Sequence, residues 1–424
     1  MVRTLCTTLL AILLVVTTAA AADRDDNNWD DWDEDGGWES DNGNGWGATT
    51  AQPGVDLSGY LETTGVTVLP RNARGGDTQV GLQTVLRLRG RFEPEPFLSA
   101  TVETEFLDRR GAATPAGAET RQIYFDYLYG SVAFGPLDLR VGRQPLAWGT
   151  AYAFNPTDLM NPSTMAGLAG VEPPGITAIS SSLTVGDRLG LEGYLGFEDR
   201  SRHATALADL SGADRLPWGV RGRAFVGMWD FGLGLARSAE YDPRTDQDDA
   251  VRTADYAVTE VSGSIGPVLL YGETAIEVGT GDWQLKRSLD AAVGARWDPL
   301  DRVSLQAEYH RRGRGAADPA DYLPADLLAR RLVARDYVVG IGTLSMMDDN
   351  LRLMVSSLVN LNDRSSAVLP ELSWRITDDF QTALGASIFL GSKQSEFDGR
   401  LSDEDLGEVD LGRPQLFLRA TWYF

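Results

Sequence analysis

From Val55 to Phe424, apolar and polar residues alternate with period two in stretch after stretch, as in strands whose two faces meet unlike surroundings. The alternation predicts strands near 55–69, 77–92, 97–108, 121–134, 137–148, 174–186, 188–199, 217–229 and 231–241. It continues at 254–266, 268–279, 285–298, 301–312, 333–347, 350–361, 364–377, 379–391 and 412–424. After every second strand the connection is very short, as at Gly135-Pro136, Gly266-Pro267 and Thr377-Asp378-Asp379. Most of the others are long and polar: 109–120, 149–173, 200–216, 242–253, 313–332 and 392–411. Short turns at one end and long loops at the other mark a bacterial outer-membrane barrel. In hydrocarbon an open sheet edge would leave backbone groups unpaired, so the sheet must close. The expected fold is all-β: a transmembrane antiparallel barrel of about 18 strands (16–18) over 55–424. The strand at 379–391 shows the two faces, with Phe380, Leu384, Ile388 and Leu390 toward lipid and Gln381, Gly385 and Ser387 inward. Phe92, Phe97, Phe134, Phe231, Trp297 and Phe380 collect beside the short turns, where an interfacial aromatic girdle belongs.

The two ends fit export and insertion. Arg3, the apolar run Leu9–Val16 and the small residues Ala19–Ala22 have the parts of a secretory signal peptide over 1–22. The sole cysteine, Cys6, lies inside it, so neither a disulfide nor a thiolate metal site is expected of the mature chain. Residues 23–54 are acidic, Trp/Gly-rich and without periodicity, and are expected to be disordered. At the other end Leu416, Leu418, Ala420, Trp422 and Phe424 share one parity. This tail resembles the strand that outer-membrane barrels present to the barrel-assembly machinery, with Trp422 and Phe424 as its aromatic signal.

One segment departs from plain alternation. Val141-Gly142-Arg143-Gln144-Pro145-Leu146-Ala147-Trp148-Gly149 is followed by Phe154-Asn155-Pro156-Thr157-Asp158-Leu159-Met160-Asn161-Pro162. Pro145, Pro156 and Pro162 cannot donate ladder hydrogen bonds, so pairing should end near Trp148. The run 157–169 is unusually apolar for a water-exposed loop, and folding over the lumen would shelter it; an ordinary surface loop is the alternative. The G-R-Q-x-x-x-W-G and N-P-x-D pattern resembles outer-membrane porins of the alginate-export kind and their uncharacterised relatives. The resemblance implies a monomeric barrel with this loop turned inward, which would make Trp148, Asn155, Pro156, Asp158, Asn161 and Pro162 constriction residues.

Charge refines the expectation. The chain carries 38 Lys+Arg against 61 Asp+Glu, a formal charge of −23, which argues against nucleic acid as a partner. Lys286 and Lys393 are the only lysines, so arginine supplies nearly all positive charge, in a form that stays ionised and binds anions in a fork. Parity turns Arg87, Arg89, Arg91, Arg140, Arg221, Arg223, Arg296, Arg352, Arg375 and Arg419 into the lumen. It also turns Glu62, Glu103, Glu105, Glu192, Glu273, Glu277, Glu308 and Glu371 inward, and mutual neutralisation, for instance of Arg87 by Glu103, is one reading. The other is a cationic belt of Arg91, Arg140, Arg296, Arg352 and Arg375 near the short-turn end, able to select anions.

Enzymatic chemistry finds little support: His203 and His310 are the only histidines, and neither a G-x-S-x-G elbow nor an H-E-x-x-H motif is present. Asp31, Asp33 and Asp35, followed by Gly36, match the opening of a calcium loop, but its twelfth position holds Asn42 instead of glutamate. No cofactor is called for. A barrel of this size leaves an aqueous channel. The expected function is therefore an outer-membrane porin or facilitated-transport channel for small solutes, anions among them, with membrane lipid, assembly machinery and solute as partners. A partner-binding barrel without an open channel, or a carrier of hydrophobic compounds, is the alternative.

Overall fold

A computed structural model describes residues 54–70, 77–113, 120–161, 174–198, 215–241, 251–278, 289–322, 332–393, 395–398, 400–403, 407–410 and 412–424. All belong to the unit Gly43–Phe424; the unit Met1–Asn42 lies outside the described residues, and with it the signal segment, most of the leader, and Asp31, Asp33 and Asp35. Pro162 and His203 also fall outside.

The strands are β1 (Gly54–Val68), β2 (Gln79–Glu95), β3 (Leu98–Gly111), β4 (Thr120–Phe134), β5 (Leu137–Gln144), β6 (Ile176–Val185) and β7 (Leu189–Gly196). Next come β8 (Trp218–Val226), β9 (Trp229–Tyr241), β10 (Val251–Ile265), β11 (Val268–Val278), β12 (Leu289–Leu300) and β13 (Val303–Arg311). The last are β14 (Asp336–Met346), β15 (Leu351–Asn360), β16 (Ser366–Thr377), β17 (Phe380–Leu390), β18 (Arg400–Asp403), β19 (Gly407–Asp410) and β20 (Gln415–Tyr423). β18 and β19 form a separate hairpin within the long connection before β20. The other eighteen strands pair antiparallel in chain order, and β1 bonds both β2 and β20, so the sheet closes on itself. At the seam Gly59 and Phe424 exchange backbone hydrogen bonds of 2.9 and 3.0 Å.

The barrel is inside-out relative to a water-soluble protein. Leu57, Leu88, Val102, Phe125, Leu128, Leu233, Val293, Leu384 and Leu418 are exposed on its outer face, and alternate residues on the same strands are buried within. So large an exposed apolar surface on a closed sheet is stable only in a bilayer. With an even strand number, short turns at one end and long loops at the other, the architecture is that of the bacterial outer membrane.

Three local features differ from the sequence expectation. β5 stops at Gln144 rather than near Trp148, because Pro145 already removes the next ladder donor. Arg87 stands opposite Glu105, not Glu103, which faces Arg89. In β4, Glu103 pairs with Tyr127 and Thr104 with Phe125, so Asp126 is the extra residue of a bulge. The bulge turns Asp126 inward, where it accepts a 2.9 Å hydrogen bond from the Gly175 amide and lies 3.6 Å from Arg87.

Candidate constriction of the lumen

The motif segment leaves the barrel wall at once and crosses the lumen. Gln144 is fully buried and closes the end of β5: its amide donates to the Ala178 carbonyl (2.9 Å) and accepts from the Ser180 hydroxyl (2.6 Å). Pro145 then turns the chain inward. Trp148 is buried edge-on to Tyr194 (ring centroids 4.8 Å apart), beneath the Arg221 guanidinium 4.8 Å from its ring. Gly219 makes this packing fit, since a Cβ there would lie 2.6 Å from Trp148 and 2.5 Å from Tyr194.

Beyond Trp148, two glutamates of the far wall receive the loop. β11 and β13 stand six and eight strands from β5 in an eighteen-stranded ring, a third and nearly half of the way round. Glu273 on β11 accepts from the amides of Thr150 (2.7 Å), Ala151 (3.4 Å) and Thr157 (3.4 Å) and from the Thr157 hydroxyl (3.3 Å). Glu308 on β13 accepts from the amides of Tyr152 (3.0 Å), Ala153 (3.2 Å) and Phe154 (3.3 Å) and from the Tyr271 hydroxyl (3.1 Å). Both carboxylates are buried, and successive backbone N–H groups supply the donors that bulk water otherwise would. The path requires Gly149, with φ +126°: a Cβ there would lie 2.7 Å from Asn155 and 2.9 Å from the Glu273 carboxylate.

The N-P-x-D end is a self-bonded turn. Asp158 accepts from the Met160 and Asn161 amides, and the Asn161 side chain joins Asp158 (2.7 Å) to the Leu146 carbonyl (2.7 Å). Leu159 and Met160 are thereby buried against Tyr194, Ala236, Val258 and Ala275, while Phe154 joins Tyr337, Val339, Leu358 and Ala367 across the lumen. At roughly 1.5–3 kcal/mol per buried large side chain, Trp148, Phe154, Leu159 and Met160 together hold the loop by about 6–12 kcal/mol.

The loop thus fills the side of the lumen lined by β6 to β16. The remaining wall, β17, β20 and β1 to β5, carries arginines laid over aromatic rings: Arg87 over Tyr60, Arg89 over Tyr127, Arg140 over Tyr129 and Arg419 over Phe417. A buried carboxylate, Glu103, lies beneath Arg87 and Arg89. Arg89 keeps 35% of its side chain exposed while its partner Glu103 has 0%, and Arg87 joins Glu103 and Glu105. Arg419 joins Glu371 (2.6 Å) and reaches Glu62 (3.9 Å). On the filled side Arg221 bridges Glu192 and Glu260, Arg223 meets Asp230, and Glu277 is buried between Arg252 and Arg314. Toward the short turns, Arg91 pairs with Glu93 and Arg296 with Asp298; Arg352 and Arg375 have the inward parity of β15 and β16. His310 is buried against Phe154. Trp422 and Phe424 pack together at the seam, 5.4 Å apart.

At the long-loop end a polar latch covers the far side, unforeseen in the sequence. Glu396, from the segment after β17, accepts from the Val333 amide (3.0 Å), the Tyr337 hydroxyl (2.9 Å) and the Asn360 amide (2.8 Å). Its own N–H donates to Asp363 (2.7 Å). Burial, with some help from the Asp363 charge, pushes the Glu396 carboxyl up to about 7.

Fold and lumen together define a porin-type barrel. No family model matches the chain, and no curated relative does. Among solved structures, OccAB3 of Acinetobacter baumannii is similar at TM-score 0.52 and 10% identity, covering 87% of this chain and 99% of that one. OmpF of Salmonella typhi, in complex with daunomycin, gives 0.47 and 11%, covering 87% and 97%. OmpT of Vibrio cholerae gives 0.42 and 10%, covering 88% and 100%. At such identities the likeness to OccAB3 is one of fold.

Proposed function

We propose that the chain is an outer-membrane channel for small hydrophilic solutes, narrowed by the loop after β5 and biased toward anions. The observation that carries the reading is the unequal exposure of charges on the β17-to-β5 wall: the Arg87 and Arg89 guanidiniums reach the water while Glu103 lies fully buried beneath them. A solute passing the β17-to-β5 wall meets arginine first. Coulomb attraction there is on the order of 1–4 kcal/mol per close contact. Charges in the distant loops are screened beyond roughly 8–10 Å at physiological salt. The aromatic rings under the arginines keep the forks fixed and add an apolar surface for the solute body.

Single-channel recording in planar bilayers tests both parts. The wild type should conduct, with a reversal potential in a salt gradient displaced toward the anion. Replacing Arg140, Arg352 and Arg375 with glutamine should move that potential toward the cation, whereas replacing Arg89 would leave the buried Glu103 to Arg87 alone and confuse the result. A folded barrel without conductance would overturn the channel reading, and unchanged selectivity in the triple variant would overturn the anion bias.

A further inference from the structure

Arg143, the arginine of the G-R-Q motif, and the bulge residue Asp126 meet where the constriction loop returns to the wall. β4 pairs with β5 only as far as Leu128, which stands opposite Arg143, although β4 itself extends to Thr120. β5 ends one residue later, at Gln144, and its chain turns into the lumen. β6 begins at Ile176, opposite Gln144, so the returning chain rejoins the wall at the height where β4 loses its neighbour. The bulge lies at that same height.

The break is bridged on both faces. Within, the bulge turns two successive residues, Asp126 and Tyr127, inward and buries both. One Asp126 oxygen accepts from the Gly175 amide (2.9 Å) and the other lies 3.6 Å from Arg87. Outside, Arg143 shares the outward parity of its partner Leu128. Its Nε donates to the Phe125 carbonyl on the bulge (3.0 Å) and its Nη1 to Glu198, just past β7 (2.7 Å). The same Glu198 oxygen accepts from the Thr177 amide (3.2 Å) and from the Thr177 hydroxyl. Gly175 sits between the two bridges. A Cβ there would strike the Asp126 carbonyl and stand 2.9 Å from the Tyr127 ring and 3.2 Å from the Arg143 side chain. A planar guanidinium can serve a carbonyl and a carboxylate at once along two fixed directions, which a single ammonium tip cannot.

We propose that Asp126 and Arg143 are positioning residues for the constriction, holding its return end at 175–177 from the lumen side and from the outer face. Asp126 has a second effect. Its charge offsets that of Arg87, which Glu103 and Glu105 also hold, and so limits the attraction an anion meets on that wall. The inference rests on the channel reading and adds the second end of the loop's anchorage, since Glu273 and Glu308 receive the outgoing end.

The test uses the full folded barrel, with heat-modifiable mobility as the check of folding. Hydrogen exchange at 174–178, followed by mass spectrometry, reads the anchorage without reference to conduction; single-channel recording reads its consequence. R143Q loses the charged fork, so exchange at 175–177 should quicken at least about 10-fold and open-channel noise should rise, with ion preference unchanged. R143K keeps the charge without the fork and should lie between. D126N still offers Gly175 an acceptor but removes the charge beside Arg87, so the permeability ratio should move roughly 2-fold toward anions while exchange changes little. D126A removes both and should show both effects. Wild-type exchange in folded R143Q and D126A would overturn the anchorage. A changed ion preference in R143Q, or an unchanged one in D126N, would overturn the separate part given to Asp126. A folded wild type without conductance would sink the channel reading, and exchange would still decide the anchorage.

Discussion

Replacing both far-wall glutamates with glutamine should release the loop and widen the channel, while either replacement alone should not. Glutamine keeps the volume but turns an N–H donor toward backbone donors, so at each site one or two charge-assisted hydrogen bonds are lost. At about 1.5–3 kcal/mol per bond, each substitution costs roughly 2–5 kcal/mol of the loop's hold. The apolar anchors Trp148, Phe154, Leu159 and Met160 supply about 6–12 kcal/mol, which exceeds either loss alone. Together E273Q and E308Q remove on the order of 4–10 kcal/mol, comparable with the apolar hold less the entropy of ordering a loop of this length. Single-channel conductance should change little in either single variant and rise, with added open-channel noise, in the double. Chymotrypsin should also cut near Trp148, Tyr152 or Phe154 in the double variant alone. Wild-type conductance together with protease resistance would refute the idea that these carboxylates hold the loop. Cleavage at unchanged conductance would instead show a loop that is held there but does not limit flow.

The Glu396 latch should weaken as pH rises. Its folded-state value near 7 lies above the ordinary glutamate value of 4.5, so its contribution is fully present below about 4.5 and is lost as pH climbs to about 7. That shift corresponds to about 3 kcal/mol, and the protection of the Val333 amide against hydrogen exchange, taken relative to the intrinsic base-catalysed rate at each pH, should be greater at pH 5 than at pH 8. An E396Q chain should lose the pH dependence; a wild type equally protected at both pH values would contradict the assignment. Gly149→Ala strains a φ of +126° and presses on both Asn155 and Glu273, so conductance should rise at unchanged heat-modifiable mobility. A fully wild-type current would contradict the tight path. Deleting Phe424 removes both hydrogen bonds to Gly59 and the ring packed on Trp422, and the heat-modifiable folded fraction in membranes should fall; undiminished insertion would speak against the terminal signal.

The barrel was legible in the sequence because a strand in a bilayer sorts its residues by solvent at every second position. Parity alone placed Glu273, Glu308 and the arginine set on the inner side, since a one-residue slip would put them all in lipid. The short turns and even strand number followed from the same pattern. What alternation could not carry was register and reach. The bulge at Asp126 lies within an uninterrupted run, Gln122 to Tyr129, whose residue types suit either register. The loop's apolar character showed that it needed shelter, but its receptors are Glu273 and Glu308, more than a hundred residues away, and only closure of the ring brings them within its reach. The Glu396 latch has the same cause: Val333, Tyr337, Asn360 and Glu396 meet because three connections end side by side.

The W-G and N-P-x-D pattern gains a physical meaning that a motif alone does not have. Gly149 provides a backbone path that brings the Thr150 and Ala151 amides onto one carboxylate, and the following three amides fall on a second. Pro156 offers no N–H, and the Thr157 amide next to it returns to the first carboxylate. Asp158 and Asn161 then close the turn that buries Leu159 and Met160. Such a segment is one half of a binding pair whose other half is two lumen-facing acids on strands β11 and β13. A chain with the motif but without acids at those two registers would leave buried N–H groups unsatisfied, at about 1–3 kcal/mol each, and its loop would have to lie elsewhere. The loop sequence predicts a constriction only together with its receptors. For the same reason these two acids are closed to any solute in the lumen: the loop's own amides occupy their oxygens, whereas Arg89, on the wall that the loop leaves uncovered, keeps part of its guanidinium exposed.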